Sequence, residues 1–598
     1  MSVIDPGLKF LQVEAQQVAG ELGALSEESA FSFERVSPAP RVKVLLQFEG
    51  NLDAAEGVGF EPRTVAGDVA TGTLPLGNLE AAAALDEVLR IEVTRPMQSD
   101  LIESIKEIGA DTVHTGPPGH RGSGVLIGII DSGIDIMHEG FRRPDGSTRI
   151  LAVWDQHLTP TGSETSPGGF SYGVEYTDQA INASLGGGGA PDSVRHADGA
   201  TDSGHGTHVA GIAAGDGSVA SNGQPAFSFI GVAPEADLII VRNDAFNGAI
   251  GMGDSANTLD AVNYIFTKAK ALNRPVVINQ SQGDNIGPHD GTSLLERGID
   301  NLLGAPGQIM VKSAGNEGDS RRHASGTVPA GETESVQFNM PADNRFHDTI
   351  DVWYKGSDEF SLTLSSPDGN TSVPVAPGST VSFSLDNGNS VFVDSTLSDP
   401  NNADNRIFIR IDRGSTNRIQ PGNWSLNLQG DTVEDGRFDA WIDRNIRPVP
   451  TFISHVDPKM TISVPGTSQK IISVGSYITG GAGVGSLSSF SSRGPTRDGR
   501  PCPTLSAPGQ WIMSARAKGI SRGAGKYLQL AGTSMAAPHV AGAVALILQQ
   551  KPDMTQDDVR DCLTKSTRDD GFTGKVPNDD WGAGKLDVKA ACERAAEA

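Results

Sequence analysis

Val125-Leu126-Ile127-Gly128-Ile129-Ile130-Asp131-Ser132-Gly133 is the stretch on which the reading of this chain turns. The apolar run from Val125 to Ile130 does not alternate with polar residues, the mark of a strand buried on both faces. Similar runs recur at Leu238 to Val241, Val276 to Ile278 and Ile309 to Val311. Helical patterns lie between them, at Asn257 to Ala271 and Ser293 to Leu303. Buried strands alternating with helices predict an α/β fold, a parallel sheet with helices on both faces. In such a sheet functional groups gather at the carboxyl ends of strands, and Asp131 stands at one.

Outward from this core the composition changes. Residues 1–40 are polar and weakly helical, an N-terminal extension. Residues 41–98 read as a small α+β unit: a strand from Val42 to Phe48, a helix from Asn78 to Leu89 and a strand from Arg90 to Val93, closed by Arg95-Pro96. The α/β pattern occupies 99–319 and resumes over 450–598. Between them, 320–449 offers alternating runs at Ser335 to Met340, Thr349 to Tyr354, Phe360 to Leu364, Thr380 to Leu385, Arg406 to Ile411, Trp424 to Leu428 and Arg437 to Ile442. Turn residues separate these runs, which predicts an inserted all-β sandwich or jelly roll. No internal repeat is evident.

A chain of 598 residues is too long for one ordinary domain. Its net charge of −26 excludes nucleic acid as an expected partner, since phosphate binding needs clustered Lys and Arg. No apolar stretch is long enough to span a bilayer, so no membrane partner is expected. Cys502, Cys562 and Cys592 give neither a disulfide framework nor a zinc spacing. Residues 1–23 lack a basic segment followed by an apolar one, which leaves the cytoplasm as the expected compartment, with non-standard secretion as the alternative.

Four motifs carry chemistry. Asp131-Ser132-Gly133-Ile134-Asp135 follows the buried strand, where Asp131 suits either catalysis or a turn. Gly204-His205-Gly206-Thr207-His208-Val209 begins a helix of small and apolar residues. His205 and His208 share a face, but no third ligand accompanies them, so a metal site is not expected. Asp202 is a candidate cap for this helix. Gly532-Thr533-Ser534-Met535-Ala536-Ala537-Pro538 places Ser534 at a helix start, because Pro538 is tolerated only near one. There Ser534 is a capping residue or a hydroxyl beside unpaired N–H groups. Ser313-Ala314-Gly315-Asn316 follows a strand, where Asn316 is a turn residue or an amide donor for a developing oxyanion.

The four occur in the order Asp, His, Asn, Ser, and in this order they resemble the subtilase family. Gly231-Val232-Ala233-Pro234, Phe490-Ser491-Ser492-Arg493-Gly494-Pro495, Leu505-Ser506-Ala507-Pro508-Gly509 and Trp581-Gly582-Ala583-Gly584 extend the likeness. Asp145-Gly146-Ser147-Thr148-Arg149-Ile150-Leu151-Ala152-Val153-Trp154-Asp155-Gln156 resembles the bacterial Csp-like germination-protease branch, whose members carry a jelly-roll insertion. The resemblance implies a subtilisin-like serine endopeptidase with Asp131, His205 and Ser534 as its triad, Asn316 in its oxyanion hole and Thr533 assisting. It implies protein or peptide substrates held along Ser281, Gln282 and Gly283, with a second strand near Gly251 to Gly253. Ser313, Ala314 and Gly315 would line the first specificity pocket. The 41–98 unit would be a propeptide that inhibits its own enzyme and is cut between Thr94 and Asp100. No cofactor is required; Gly140 stands where extracellular members often have a calcium-ligating Asp, so structural calcium has no clear motif. The alternative is a catalytically silent peptide-binding regulator on the same fold.

Overall fold

The computed structural model describes residues 33–34, 41–93, 103–186, 194–198, 204–243, 254–345, 347–444, 449–520 and 525–597. They fall into two compact units, Met1–Ser99 and Asp100–Ala598.

The larger unit is built on eight strands: β1 Leu126–Asp131, β2 Ile150–Asp155, β3 Val174–Thr177, β4 Asp237–Arg242, β5 Val276–Gln280, β6 Gln308–Ser313, β7 Ile472–Ile478 and β8 Leu505–Gln510. Their spatial order is β8-β7-β6-β5-β1-β4-β2-β3. Every neighbouring pair is parallel except β2 with β3 at the edge. β1 lies inside the sheet, where Ile129 pairs with Asn279 on one side and Ile240 on the other. All six of its residues are buried, which accounts for the unbroken apolar run. β3 carries no such run; β2 does, from Ile150 to Trp154, yet neither was foreseen as a strand.

Four helices matter for the site: α1 His205–Ala214, α2 Ser255–Ala271, α3 Leu294–Leu302 and α4 Thr533–Gln550. Ile127 and Ile129 join an apolar cluster with Val209 of α1 and Val540 of α4. Leu126 and Ile130 join another with Val262 and Ile265 of α2 and Ile299 of α3. Side chains alternate across a strand, so the two clusters lie on opposite faces. Gly128 lets α2 approach closely, since a Cβ there would sit 2.8 Å from Ile265 Cγ2. The chain fills one side of β1 with β2 to β4, then returns to the other with β5 to β8. Asp131 therefore ends a strand at the point where the winding reverses, where doubly wound sheets place their sites.

Between β6 and β7 the chain makes two antiparallel sheets. One has six strands, His323–Thr327, Arg437–Ile442, His347–Tyr354, Asn405–Asp412, Ser390–Thr396 and Thr380–Ser384 in spatial order. The other has four, Glu359–Ser365, Gly422–Thr432, Thr333–Met340 and Thr451–Phe452. Burial alternates strictly along Asn405–Asp412, and the inward residues, with Phe338, Ile350 and Trp424, form one core. All seven alternating runs read from the sequence are strands. Ser390–Thr396 was missed, although it alternates equally well.

The smaller unit is an antiparallel sheet centred on Arg41–Phe48, which pairs with Val69–Pro75 and Val88–Val93. The helix expected over Asn78 to Leu89 is shorter, Leu79–Ala83. Val88 and Leu89 belong instead to the following strand, where Val88 pairs with Phe48. The hairpin from Glu61–Ala66 to Val69–Pro75 was not anticipated. The cleavage site expected between Thr94 and Asp100 lies outside the described residues, as does the N-terminal lead up to 32. No described helix is long and apolar enough to cross a membrane. All three cysteines are free and buried.

Candidate active site

Asp131 is buried at the end of β1. Its Oδ1 accepts from Ser132 N–H at 2.8 Å and lies 2.6 Å from His205 Nδ1. Its Oδ2 is buried without a hydrogen-bond partner. The His205 side chain keeps a fifth of its surface exposed. Burial pulls the His205 pKa down, but the charge and hydrogen bond of Asp131, with Asp198 farther off, outweigh it and leave the pKa raised.

His205 is the first residue of α1. The N-cap position is Gly204, held at φ 54°, and it supplies no side-chain cap. The candidate cap Asp202 lies outside the described residues. Asp198 does that work: its Oδ2 accepts the Thr207 N–H at 2.7 Å and the Thr207 hydroxyl, and its Oδ1 accepts from Ser132 Oγ at 2.8 Å. Ser132 Oγ in turn accepts the Gly206 N–H at 2.9 Å. The helix carrying His205 is thus tied to the loop carrying Asp131 through Asp198, which no sequence motif marked. His208 turns away from the site. Its Nε2 faces the main-chain oxygens of Ile512 and Leu528, and burial lowers its pKa to about 3.

Gly206 sets the closeness of this junction, because a Cβ there would meet Gly133 O at 2.1 Å. Gly206→Ala is expected to push α1 outward and lower kcat/KM at least about 10²-fold, the usual effect of a 1 Å misplacement. Assay of purified, folded variant checks this; retention of full activity would mean that the Asp131–His205 contact does not govern turnover.

Ser534 is the second residue of α4, where helix N–H groups are unpaired. Its Oγ donates to Ser281 O at 3.3 Å rather than to His205. Such bonds are often loose before substrate binds. Pro538 lies inside α4 and has no N–H for the carbonyl four residues back, which is that of Ser534. The Ser281 hydroxyl donates to that oxygen instead, at 3.1 Å, and itself accepts from Asn279 Nδ2 at 3.1 Å. Ser281 thus braces the serine with both its side chain and its main chain.

Asn316 Oδ1 accepts from Thr533 N–H at 2.9 Å and from Thr533 Oγ1 at 3.0 Å. A main-chain N–H can only donate, so this contact fixes the amide with Nδ2 on the other side. An atom at the Cβ position of Gly532 would lie 3.4 Å from Asn316 Nδ2 and 3.6 Å from Ser534 N, so the two donors border one space. Thr533 Oγ1 also accepts from Gly315 N–H at 3.1 Å. Thr533→Val should loosen the amide and lower kcat about tenfold with KM little changed; steady-state kinetics separates the two.

Ser281, Gln282 and Gly283 continue from β5 past Ser534, and Ser313, Ala314 and Gly315 continue from β6 towards Asn316. The second strand expected near Gly251 to Gly253 lies outside the described residues. Lys312 is buried behind this edge, with Nζ on Ser313 O at 2.5 Å and Ser463 Oγ at 2.8 Å, and burial lowers its pKa to about 7. Among the described residues no group of three or more His, Cys, Asp or Glu is placed to hold a metal ion.

A histidine paired with a buried carboxylate, a serine on a helix start and two neighbouring N–H donors thus stand together at the carboxyl edge of a doubly wound sheet. The Subtilase family pattern matches residues 122–409 and 415–584, and the chain belongs to that family. It is 40% identical over 140 residues to serine protease AprX of Bacillus subtilis, covering 22% of this chain and 31% of that one. It is 24% identical over 514 residues to the C5a peptidase of Streptococcus pyogenes, covering 79% of this chain and 40% of that one. The chain thus spans less than half the length of these curated relatives. The solved CspB protease of Clostridium perfringens superposes with a TM-score of 0.71 at 26% identity, over 82% of this chain and 98% of that one.

Proposed function

We propose that this chain is a serine endopeptidase whose triad is Asp131, His205 and Ser534. The observation that carries the reading is the 2.6 Å contact of Asp131 with His205 Nδ1, which leaves the other ring nitrogen to serve as base. Ser534 Oγ attacks a peptide carbonyl while His205 Nε2 takes its proton. The oxyanion is held by Ser534 N–H and Asn316 Nδ2. The C–N bond then breaks, His205 returns the proton to the departing amine, and water releases the acyl group from Ser534 by the same route. Substrate runs extended along Ser281, Gln282 and Gly283, with Ser313, Ala314 and Gly315 lining the first side-chain pocket.

We also infer that residues 41–98 act as a propeptide, an inhibitor in cis removed by self-cleavage between Thr94 and Asp100, and that 320–449 is a jelly-roll domain inserted in the peptidase. The resemblance to family members supports the first, and the two packed antiparallel sheets support the second.

Intact mass of wild type and Ser534→Ala, each with and without a fluorophosphonate, tests the reading. One adduct on wild type alone, with a shortened N-terminus on wild type alone, is expected. A folded wild type that remains unlabelled after removal of its N-terminal unit would overturn it.

A further inference from the structure

A cleft of about 540 Å³ opens beside the 281–283 stretch. Gln280, Gln282 and Asp284 line it together with Asp254 and Thr258 at the start of α2 and Leu295 of α3. Among the described residues its lining holds two carboxylates and no Lys, Arg or His, and Arg444 acts on Asp284 from outside that lining. Gln280 and Gln282 are only 2% and 4% exposed. Yet Gln280 Oε1 and Gln282 Nε2 have no hydrogen-bond partner. Buried polar atoms are nearly always paired, so two orphans in one cleft wall indicate a missing partner. Asp284 Oδ1 accepts from Asn285 N–H at 2.6 Å and Ile286 N–H at 3.2 Å, and among the described residues no group bonds its Oδ2. Burial, then Asp443, push the Asp284 pKa up to about 6, so it is an anion at pH 8.

We propose that this cleft receives an arginine or lysine side chain of the substrate, from a residue roughly two to four positions away from the scissile bond. The inference rests on the peptidase reading above and adds its substrate class. The reach follows from geometry. Ser534 Oγ lies 3.3 Å from Ser281 O, so the scissile carbonyl is held near Ser281. An extended peptide beside 281–284 keeps step with it at about 3.3 Å per residue, which brings the next one to three substrate residues past Gln282, Gly283 and Asp284. A guanidinium carries donors only, and the cleft offers it Gln280 Oε1 and the Asp284 and Asp254 carboxylates. The Gln282 Nε2 donor is left for a main-chain carbonyl of the passing peptide. An acidic side chain would meet two like charges, and an apolar one would seal the orphan atoms away from any partner.

The test is cleavage of a mixed peptide library by the full chain at pH 8 and low salt, read by mass spectrometry. Arg and Lys should be enriched about tenfold at one position two to four residues from the cut. Asp284→Asn should reduce that enrichment by most of its size, and Asp284→Arg should reverse it towards Glu. Fluorophosphonate labelling of each variant reports an intact nucleophile. If the Asp284 variants fail to label, Asp254→Asn repeats the test, since Asn caps a helix as well as Asp does. Cleavage without a charge preference, or a preference that survives Asp284→Asn in labelled enzyme, overturns the inference and leaves the peptidase reading standing. No cleavage and no labelling of wild type would remove both.

Discussion

Ser534→Ala is expected to lower kcat about 10⁶-fold while KM changes little, a size taken from the corresponding replacement in subtilisin itself. The physical reason is that the nucleophile works as a unit with its base. Once Oγ is gone, His205 has no proton to accept and Asp131 no imidazolium to stabilise. His205→Ala should therefore cost about as much, and the double replacement no more than either alone. What survives, roughly 10³ to 10⁴ over the reaction in water, comes from the Asn316 amide, the Ser534 N–H and the bound geometry. Kinetics on one peptide substrate with all three variants decides the matter. Losses that multiply in the double replacement would show that serine and histidine act independently.

Asp131→Asn should lower kcat about 10⁴-fold by presenting His205 in the wrong tautomer. It should also move the pH profile. Burial works against a charged His205, and the Asp131 charge overrides it, so the folded pKa lies above the ordinary histidine value. His205 acts as a base only when neutral, so kcat/KM rises as pH passes upward through that raised pKa. Without the Asp131 charge the rising limb must shift to lower pH. Stability follows the same linkage. The pair contributes fully below the unfolded histidine pKa of about 6.5, and the contribution fades as pH rises through the higher folded value. A variant whose rising limb stays in place would detach Asp131 from the titration of His205.

The parts of this fold that were legible in the sequence are those where one physical demand dominates. β1, β4, β5 and β6 are buried on both faces, and apolar runs fill them up to their carboxyl ends, where polar residues such as Asp131, Gln280 and Lys312 are buried near the site. Most strands of the inserted sheets have one wet and one dry face, although His347–Tyr354 and Arg437–Ile442 are buried on both, and seven of the strands were read from the sequence. β3, at one edge of the large sheet, is short and mixed in composition, while β2 carries the same apolar signal from Ile150 to Trp154 and was missed. The helix after Asn78 was overread because Ala and Leu favour helices, while Val88 was claimed by pairing with Phe48, forty residues away, and Leu89 by the bulge that follows it. At the site, Asp131, His205, Asn316 and Ser534 stood out through the glycines and small residues around them, and Thr533 was named through the family resemblance. Asp198 and the Ser281 hydroxyl were not. They act by holding other residues, and a serine or threonine that braces a neighbour looks like any other until the chain is folded.

The order of these residues along the chain has a consequence in time. Ser534 comes about 400 residues after Asp131, which at typical synthesis rates of about 5 to 20 residues per second separates their births by about 20 to 80 s. α4 packs on both halves of the sheet, against β5 and β6 from before the insertion and β7 and β8 from after it. It has nowhere complete to dock until the last of these strands exists. During that interval the nascent chain has Asp131, and later His205, but not yet Ser534. The peptidase proposed above would thereby be unarmed while its own unfolded segments are most exposed.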